Sequence, residues 1–327
     1  HNNFWTFFSN IDSPFGMKGA VYRSHTGMSS PLEKLCFQWG NQLKTRLPKV
    51  WGVYMVDVQL PLAVEIRKKI VQAISEYQML EEGDKVMVAV SGGKDSSILL
   101  TLLSEIRRRA PYNYEIEAVM LDQKQPGFDA SAYTQWVQSL GIKFTILERD
   151  TYSIVKEKVQ GGVYCSLCSR LRRGILYGYA QEHGFTKIAL GHHRDDLQET
   201  LLMNLFYTGR LATMPAKLKS DDGKNIVIRP MVFVAEKDLI QLSKLWAFPI
   251  MPCNLCGSQD GMKRQRMKKL LSDLTQEIPG IGQSMITAMT NVRESQLLDP
   301  HLMDFVNMAA DGIENRDPYL ADGLEIL

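Results

Sequence analysis

Apolar positions along this chain fall into two alternating rhythms. Short, mostly apolar runs, Val86-Met87-Val88-Ala89-Val90, Ile116 to Leu121, Phe144 to Leu147, Lys187 to Leu190 and Ile226 to Ile228, read as buried strands. Elsewhere apolar residues recur every three or four positions, as amphipathic helices require: over Ala63–Leu80, from Ile98 to Ile106, and over Ala130–Leu140, Arg170–His183 and Asp195–Tyr207. Gly141 and Gly184 follow two of these helices as stop signals. Strands alternating with helices predict an α/β fold, a doubly wound parallel sheet of five strands with helices on both faces. Ligands of such a sheet sit at the carboxyl ends of the strands, near the point where strand order reverses. Beyond Pro252 the pattern turns helical, over Met262–Leu274 and Gln283–Val292. Residues 1–60 lack sustained periodicity apart from a short helix near Leu32–Leu43. The chain therefore divides into an N-terminal extension of unknown role (1–60), an α/β domain (61–250) and a helical C-terminal region (251–327).

Composition narrows the class without naming a chemistry. The 327 residues are 45% hydrophobic and 23% charged, as in ordinary globular domains, and the net charge of +2 is too small to imply nucleic-acid binding by itself. The longest apolar stretch, Val50 to Ile66, is broken by Asp57 and Pro61, and no basic segment precedes an apolar core at the start of the chain. No membrane association is expected, and a cytoplasmic location is.

Chemistry enters where the first strand ends. Ser91-Gly92-Gly93-Lys94-Asp95-Ser96 links that strand to a helix. A helix N-terminus offers unpaired N–H groups and the positive end of the dipole to an anion. The glycines let the backbone close around phosphate oxygens, Lys94 adds a cation, and Ser91 and Ser96 add hydroxyls. The spacing matches neither GxxxxGK[ST] nor GxGxxG. It resembles the PP-loop of N-type ATP pyrophosphatases, which hold the pyrophosphate of ATP and release it intact. Asp95 reads equally as a Mg²⁺ ligand or as a first-turn acid meeting the helix dipole. Asp122, at the end of the second strand, reads as a contact to adenine or ribose or as a turn cap. His192, His193, Asp195 and Asp196 end the fourth strand, where Asp195 also reads as a helix cap.

Four of the five cysteines form two pairs, Cys165-Ser-Leu-Cys168 and Cys253-Asn-Leu-Cys256. In a reducing compartment such pairs more often hold metal or do redox chemistry than form structural disulfides. A short loop between paired cysteines can fold back to place both sulfurs on one metal. Spacing alone puts structural zinc first, with an iron–sulfur cluster or a redox disulfide as the other readings. Cys36 reads as a small buried hydrophobe.

Longer segments carry a more specific resemblance. Leu121-Asp-Gln-Lys-Gln-Pro-Gly-Phe128, Cys165-Ser-Leu-Cys-Ser-Arg-Leu-Arg-Arg-Gly174, Leu190-Gly-His-His-Arg-Asp-Asp196 and Pro252-Cys-Asn-Leu-Cys-Gly-Ser258 occur in this order. Together they resemble the bacterial tRNA 2-thiocytidine synthetases, the tRNA-cytidine(32) 2-sulfurtransferase family, from about Ala63 to about Phe305. The resemblance implies an adenine-nucleotide α-hydrolase fold. It implies that ATP and Mg²⁺ activate the C2 oxygen of cytidine 32 in a tRNA anticodon loop by adenylation, and that sulfur then displaces AMP. It implies a [4Fe-4S] cluster held by three cysteines, with the fourth iron open to carry the sulfur, in place of zinc. A cysteine desulfurase as sulfur donor and a homodimer are also implied. Carried over residue by residue, Ser91, Gly92, Gly93, Lys94, Asp95 and Ser96 bind ATP, with Lys94 and Asp95 catalytic. Cys165 and Cys168 hold the cluster with Cys256, for which Cys253 is the alternative.

Docking tRNA needs local positive charge. Arg170, Arg172 and Arg173 follow the first cysteine pair, and Lys263, Arg264, Arg266, Lys268 and Lys269 follow the second. The bland reading of each group is a solvated helix face, and Arg107-Arg108-Arg109 reads as complementing the dipole at the end of its helix. Gly191-His-His-Arg-Asp-Asp-Leu-Gln-Glu-Thr200 is also similar to tRNA lysidine synthetase, which has no need of two cysteine pairs. Thiouridine synthases with zinc fingers carry further pairs absent here. A zinc-stabilised RNA-binding protein with an inactive nucleotide fold is disfavoured by the intact loop.

Overall fold

The computed structural model describes residues 56–158, 164–251, 263–302 and 304, and of 164–166 the backbone alone. The expected helix near Leu32–Leu43, Cys36, Cys253 and Cys256 lie outside the described residues. In chain order the elements are α1 (Pro61–Glu76), β1 (Lys85–Val90), α2 (Lys94–Arg107), β2 (Glu115–Asp122), α3 (Ser131–Ser139), β3 (Lys143–Glu148), α4 (Thr151–Lys158) and α5 (Tyr164–Glu182). Then follow β4 (Lys187–Ala189), α6 (Arg194–Thr208), β5 (Lys217–Lys219), β6 (Ile226–Ile228), α7 (Glu236–Trp246), α8 (Lys263–Glu277), α9 (Ile281–Thr290) and a 3₁₀ turn (Glu294–Gln296).

The strands form one sheet in the order β3-β2-β1-β4-β6-β5. All neighbours are parallel except β5 and β6. The five expected strands are therefore parallel, and a sixth, antiparallel strand is added at the edge. No apolar pattern marks β5: all of Lys217, Leu218 and Lys219 are exposed, and only their ladder to β6 defines them as a strand.

Alternation along the strands splits the core into two layers. Val86, Val88 and Val90 of β1, with Ile116, Ala118 and Met120 of β2, pack against α1, α2, α3 and α7. Met87, Val119, Ile188 and Val227 face the opposite way, onto Leu176 and Ala180 of α5 and onto Phe185. Each fully buried aliphatic side chain contributes about 1.5–3 kcal/mol, so both faces of the sheet must be covered. Two helices were not apparent from the pattern, α4 and α7. α5 begins at Tyr164 rather than Arg170, so the first cysteine pair is helical instead of a loop.

At the amino edge of the sheet, Lys187 is buried at the start of β4 and pairs with Asp84 and Glu81, at 2.8 Å each. The pair fixes one end of β4, and β4's other end leads into the site. Among the described residues no helix is long and apolar enough to cross a membrane.

Candidate active site

The chain runs from β1 outward through β2 to β3, then returns to place β4 on the other side of β1. Strand order thus reverses between β1 and β4, and their carboxyl ends open the crevice. The loop Ser91–Gly93 leaves β1 there, and Gly191–His193 leaves β4 there. The two loops touch: a Cβ on Gly191 would lie 3.0 Å from the Ser96 nitrogen and 3.1 Å from its Cα.

All six residues of the predicted ATP loop come together. Gly92 has φ +78° and its carbonyl accepts the Met251 N–H at 3.0 Å. The Ser96 hydroxyl accepts the Ser91 N–H (3.1 Å), lies 3.3 Å from the Ser91 hydroxyl, and donates to the Gly93 carbonyl (3.2 Å). Ser97 Oγ donates to the same carbonyl at 2.8 Å and meets Tyr133 OH at 2.9 Å, tying the loop to α3. α2 starts at Lys94 behind an extended Gly93, with no side chain capping it, so its first N–H groups point into the loop. This is an anion cradle of backbone donors with a cation at its rim.

Charge around the cradle is organised by four helices, α2, α6, α7 and α8. Lys94 Nζ lies 3.0 Å from Asp95 Oδ2 and 3.5 Å from Glu236 Oε1 at the start of α7. Asp95 Oδ1 is buried with no hydrogen-bond partner, an acceptor open to a hard cation. Asp195 accepts the Glu236 N–H at 2.7 Å, so it caps α7 rather than its own helix. Asp196 accepts the His193 N–H (3.0 Å) and pairs with Arg264 Nη1 (3.1 Å). Arg264 also reaches Glu199 (3.6 Å) and Thr200 (3.3 Å). Burial pushes the Glu199 carboxyl up to about 7 against the lowering effect of Arg264. Burial and the Arg229 guanidinium push His192 down to about 4, so its imidazole is neutral at neutral pH. His192 Nδ1 accepts from Arg229 Nε at 3.3 Å, which leaves the ring proton on Nε2.

The cysteine region adjoins the next strand. Cys165 falls in the first turn of α5 and Cys168 at the start of the second, and positions three apart on a helix share a face. The backbone of the pair is thus helical and not a folded-back loop. Cys168 Sγ lies 3.1 Å from Gln123 Oε1, immediately after β2, and Gln123 also accepts from Thr151 at 3.0 Å. β1 and β2 are paired in register from Lys85↔Glu115 to Val90↔Met120, so the cradle and Cys168 belong to the same carboxyl edge.

Other predicted residues divide. Asp122 makes a turn: its Oδ1 accepts the Lys124 N–H at 2.7 Å and its Oδ2 lies 3.4 Å from Lys124 Nζ. Arg108 and Arg109 pair with buried Glu105, at 3.5 and 2.7 Å, instead of simply facing the dipole. Arg170, Arg173, Lys263 and Arg266 are exposed and Arg172 half-buried, whereas Arg264 is engaged by acids. Sequence reasoning missed Glu236, Arg229 and Met251, and read Lys268 as an RNA contact or a solvated helix face, whereas it pairs with Glu236 at 2.6 Å. Each acts across a long separation, and only Glu236 had a local signal, an acid that reads as first-turn helix chemistry.

Comparison with known proteins agrees with this geometry. Residues 62–248 match the PP-loop domain family. The chain is 63% identical over 253 residues to a tRNA-cytidine(32) 2-sulfurtransferase of Bdellovibrio bacteriovorus, covering 77% of this chain and 98% of the relative. It is 52% identical over 263 residues to the protein of that name from Aeromonas hydrophila, covering 80% and 85%. The fold superposes on the U34-tRNA thiolase NcsA from Methanococcus maripaludis, solved with its [4Fe-4S] cluster, with a TM-score of 0.56 at 22% identity, over 69% of this chain and 77% of that one. With its cradle at the β1–β4 switch point and this degree of identity to its relatives, the chain belongs to the PP-loop family of ATP-using enzymes and, within it, to the tRNA-cytidine(32) 2-sulfurtransferases.

Proposed function

We propose that this enzyme replaces the C2 oxygen of cytidine 32 in a tRNA anticodon loop with sulfur, using ATP. The observation that carries the reading is the meeting of two chemistries on one sheet edge: an anion cradle after β1 and a paired-cysteine helix abutting Gln123 after β2. The C2 oxygen attacks the α-phosphorus of ATP, and pyrophosphate leaves. The backbone N–H groups of the loop and the start of α2, with Lys94, hold the growing negative charge of that leaving group. Asp95, through its unpartnered Oδ1, would hold Mg²⁺, which neutralises phosphate charge when bound. Sulfur then attacks C2, and AMP departs with the former oxygen.

Cys165, Cys168 and Cys256, with Cys253 as alternative to Cys256, would hold a [4Fe-4S] cluster. The donor set fits: Cys165 and Cys168 occupy one helical face at the N-terminal end of α5, where the dipole favours thiolate. The cluster would supply a soft site that keeps inorganic sulfur nucleophilic at neutral pH. Arg170, Arg172, Arg173, Lys263 and Arg266 would meet tRNA phosphates, and the target base comes from a single-stranded loop, a common RNA target. A cysteine desulfurase as donor, a homodimer and a cytoplasmic setting complete the reading. Protein purified without oxygen should contain about four irons and four sulfides per chain and absorb broadly in the blue. A single zinc without sulfide would overturn the cluster assignment.

A further inference from the structure

Glu236 stands one helix away from the cradle and outside every motif quoted above. Its backbone is fixed by Asp195, which accepts its N–H at 2.7 Å. Its carboxylate is 17% exposed and lies between two ammonium groups, Lys94 Nζ at 3.5 Å from Oε1 and Lys268 Nζ at 2.6 Å from Oε2. Burial opposes ionisation, but the two lysines hold the carboxyl below the usual glutamate range, so it is charged at neutral pH.

We propose that Glu236 is a positioning residue for Lys94, and that Lys268 of α8 is the counter-charge that makes this anchor compatible with a bound triphosphate. The inference rests on the reading of Ser91–Ser96 as the ATP loop. A lysine stem is flexible, and an ammonium that must meet phosphate gains from being held in place beforehand. Asp95 accepts a hydrogen bond from Lys94 at 3.0 Å and Glu236 attracts it as an ion pair at 3.5 Å, so the ammonium keeps N–H groups for an oxygen of the nucleotide. Alone, a carboxylate this close to the cradle would repel the anion. Lys268 offsets that charge, so Glu236 adds little net negative charge to a cradle where Lys94 and Asp95 already pair. α8, which follows the second cysteine pair in the chain, thereby becomes part of the electrostatics of the nucleotide site.

The test is a double-mutant cycle on the full chain, reading MgATP affinity by calorimetry and tRNA-dependent pyrophosphate release. Glu236→Gln keeps shape and the backbone cap; it should bind MgATP about tenfold more weakly by freeing Lys94. Lys268→Met should weaken binding about threefold by leaving Glu236 uncompensated at a partly screened site. The double variant should be no weaker than Glu236→Gln alone, because Lys268 acts only through Glu236. In all three KM for ATP should rise, and kcat should fall where Glu236 is changed, because Lys94 also meets the charge growing on the leaving pyrophosphate; Glu236→Asp should restore part of both. Glu236→Gln within twofold of wild type, or purely additive losses in the double variant, would overturn the proposal. Lys94→Ala separates the two levels: if it too binds MgATP like wild type, the loop itself has been misread. If Lys94→Ala loses affinity while Glu236→Gln keeps it, the positioning role alone falls.

Discussion

The two glycines of the ATP loop should behave differently when replaced by alanine, because the backbone places them differently. Gly92 has φ +78°, and an added Cβ would lie 2.7 Å from Met251 Cβ and 3.0 Å from its Cγ and Sδ. The left-handed conformation costs an L-residue roughly 1–2 kcal/mol. The overlap falls on the root of the Met251 side chain, which cannot swing clear, so Met251 must move; overpacking of this kind costs about 1–3 kcal/mol. Moving Met251 also strains its N–H bond to the Gly92 carbonyl, 3.0 Å in the folded protein. Gly92→Ala should therefore lose about 2–5 kcal/mol, lowering the urea midpoint by about 1–2 M at a slope of roughly 2–3 kcal/mol/M. At Gly93 the φ is −84° and a Cβ meets only Ser91 Oγ at 3.4 Å. Gly93→Ala should stay within about 1 kcal/mol of wild type. Urea unfolding of both variants beside wild type, followed by circular dichroism, checks this. A Gly92→Ala protein as stable as wild type, or equal losses at both positions, would refute the reasoning.

Further outcomes follow from other sites. Cys165→Ala should lose both the brown colour and tRNA thiolation while keeping MgATP affinity; retained iron in that variant would contradict the cluster assignment. Glu199, raised from 4.5 to about 7 by burial, binds its proton more tightly folded than unfolded. The stability it contributes is therefore complete below about pH 4.5 and lost as pH rises through 7, on the order of 3 kcal/mol in all. Glu199→Gln should flatten that decline in a series of urea midpoints from pH 5 to 8, and parallel profiles for the two proteins would count against it. Lys187→Met leaves Asp84 buried without its counter-ion and should cost about 3–5 kcal/mol by thermal or urea unfolding, with a loss under 1 kcal/mol as the contrary result.

The parallel sheet was legible because each of its five strands is an apolar run bounded by turn chemistry, and Ile226–Ile228 falls where the pattern put it. The ATP loop was legible for the same reason, since its glycines and lysine are contiguous. α7 escaped because its local signals are weak: acids at Glu236 and Asp238 with no capping residue before them, and Lys244 in the last turn. It begins after Ala235, and the cap comes from Asp195; it ends at Ala247, a non-glycine in the left-handed region. α4 buries only Thr151 and Val155, too few to show a period. The ionic frame of the site, Lys94–Glu236–Lys268 and Asp196–Arg264–Glu199, was invisible because its members come together only when α2, α6, α7 and α8 pack. Arg264 shows the limit most directly: its place beside other cations suggested RNA, and the structure surrounds it with acids.

Nucleoside mass spectrometry of tRNA tests the central claim most directly. Unmodified tRNA is incubated with oxygen-free protein, MgATP and a sulfide source, digested and compared with reactions lacking ATP and with the Lys94→Ala variant. 2-Thiocytidine should form only with the wild type and only with ATP, and mass mapping of oligonucleotide fragments should place it at position 32. Pyrophosphate release with no sulfur in any cytidine, or sulfur appearing in uridine instead, would contradict it.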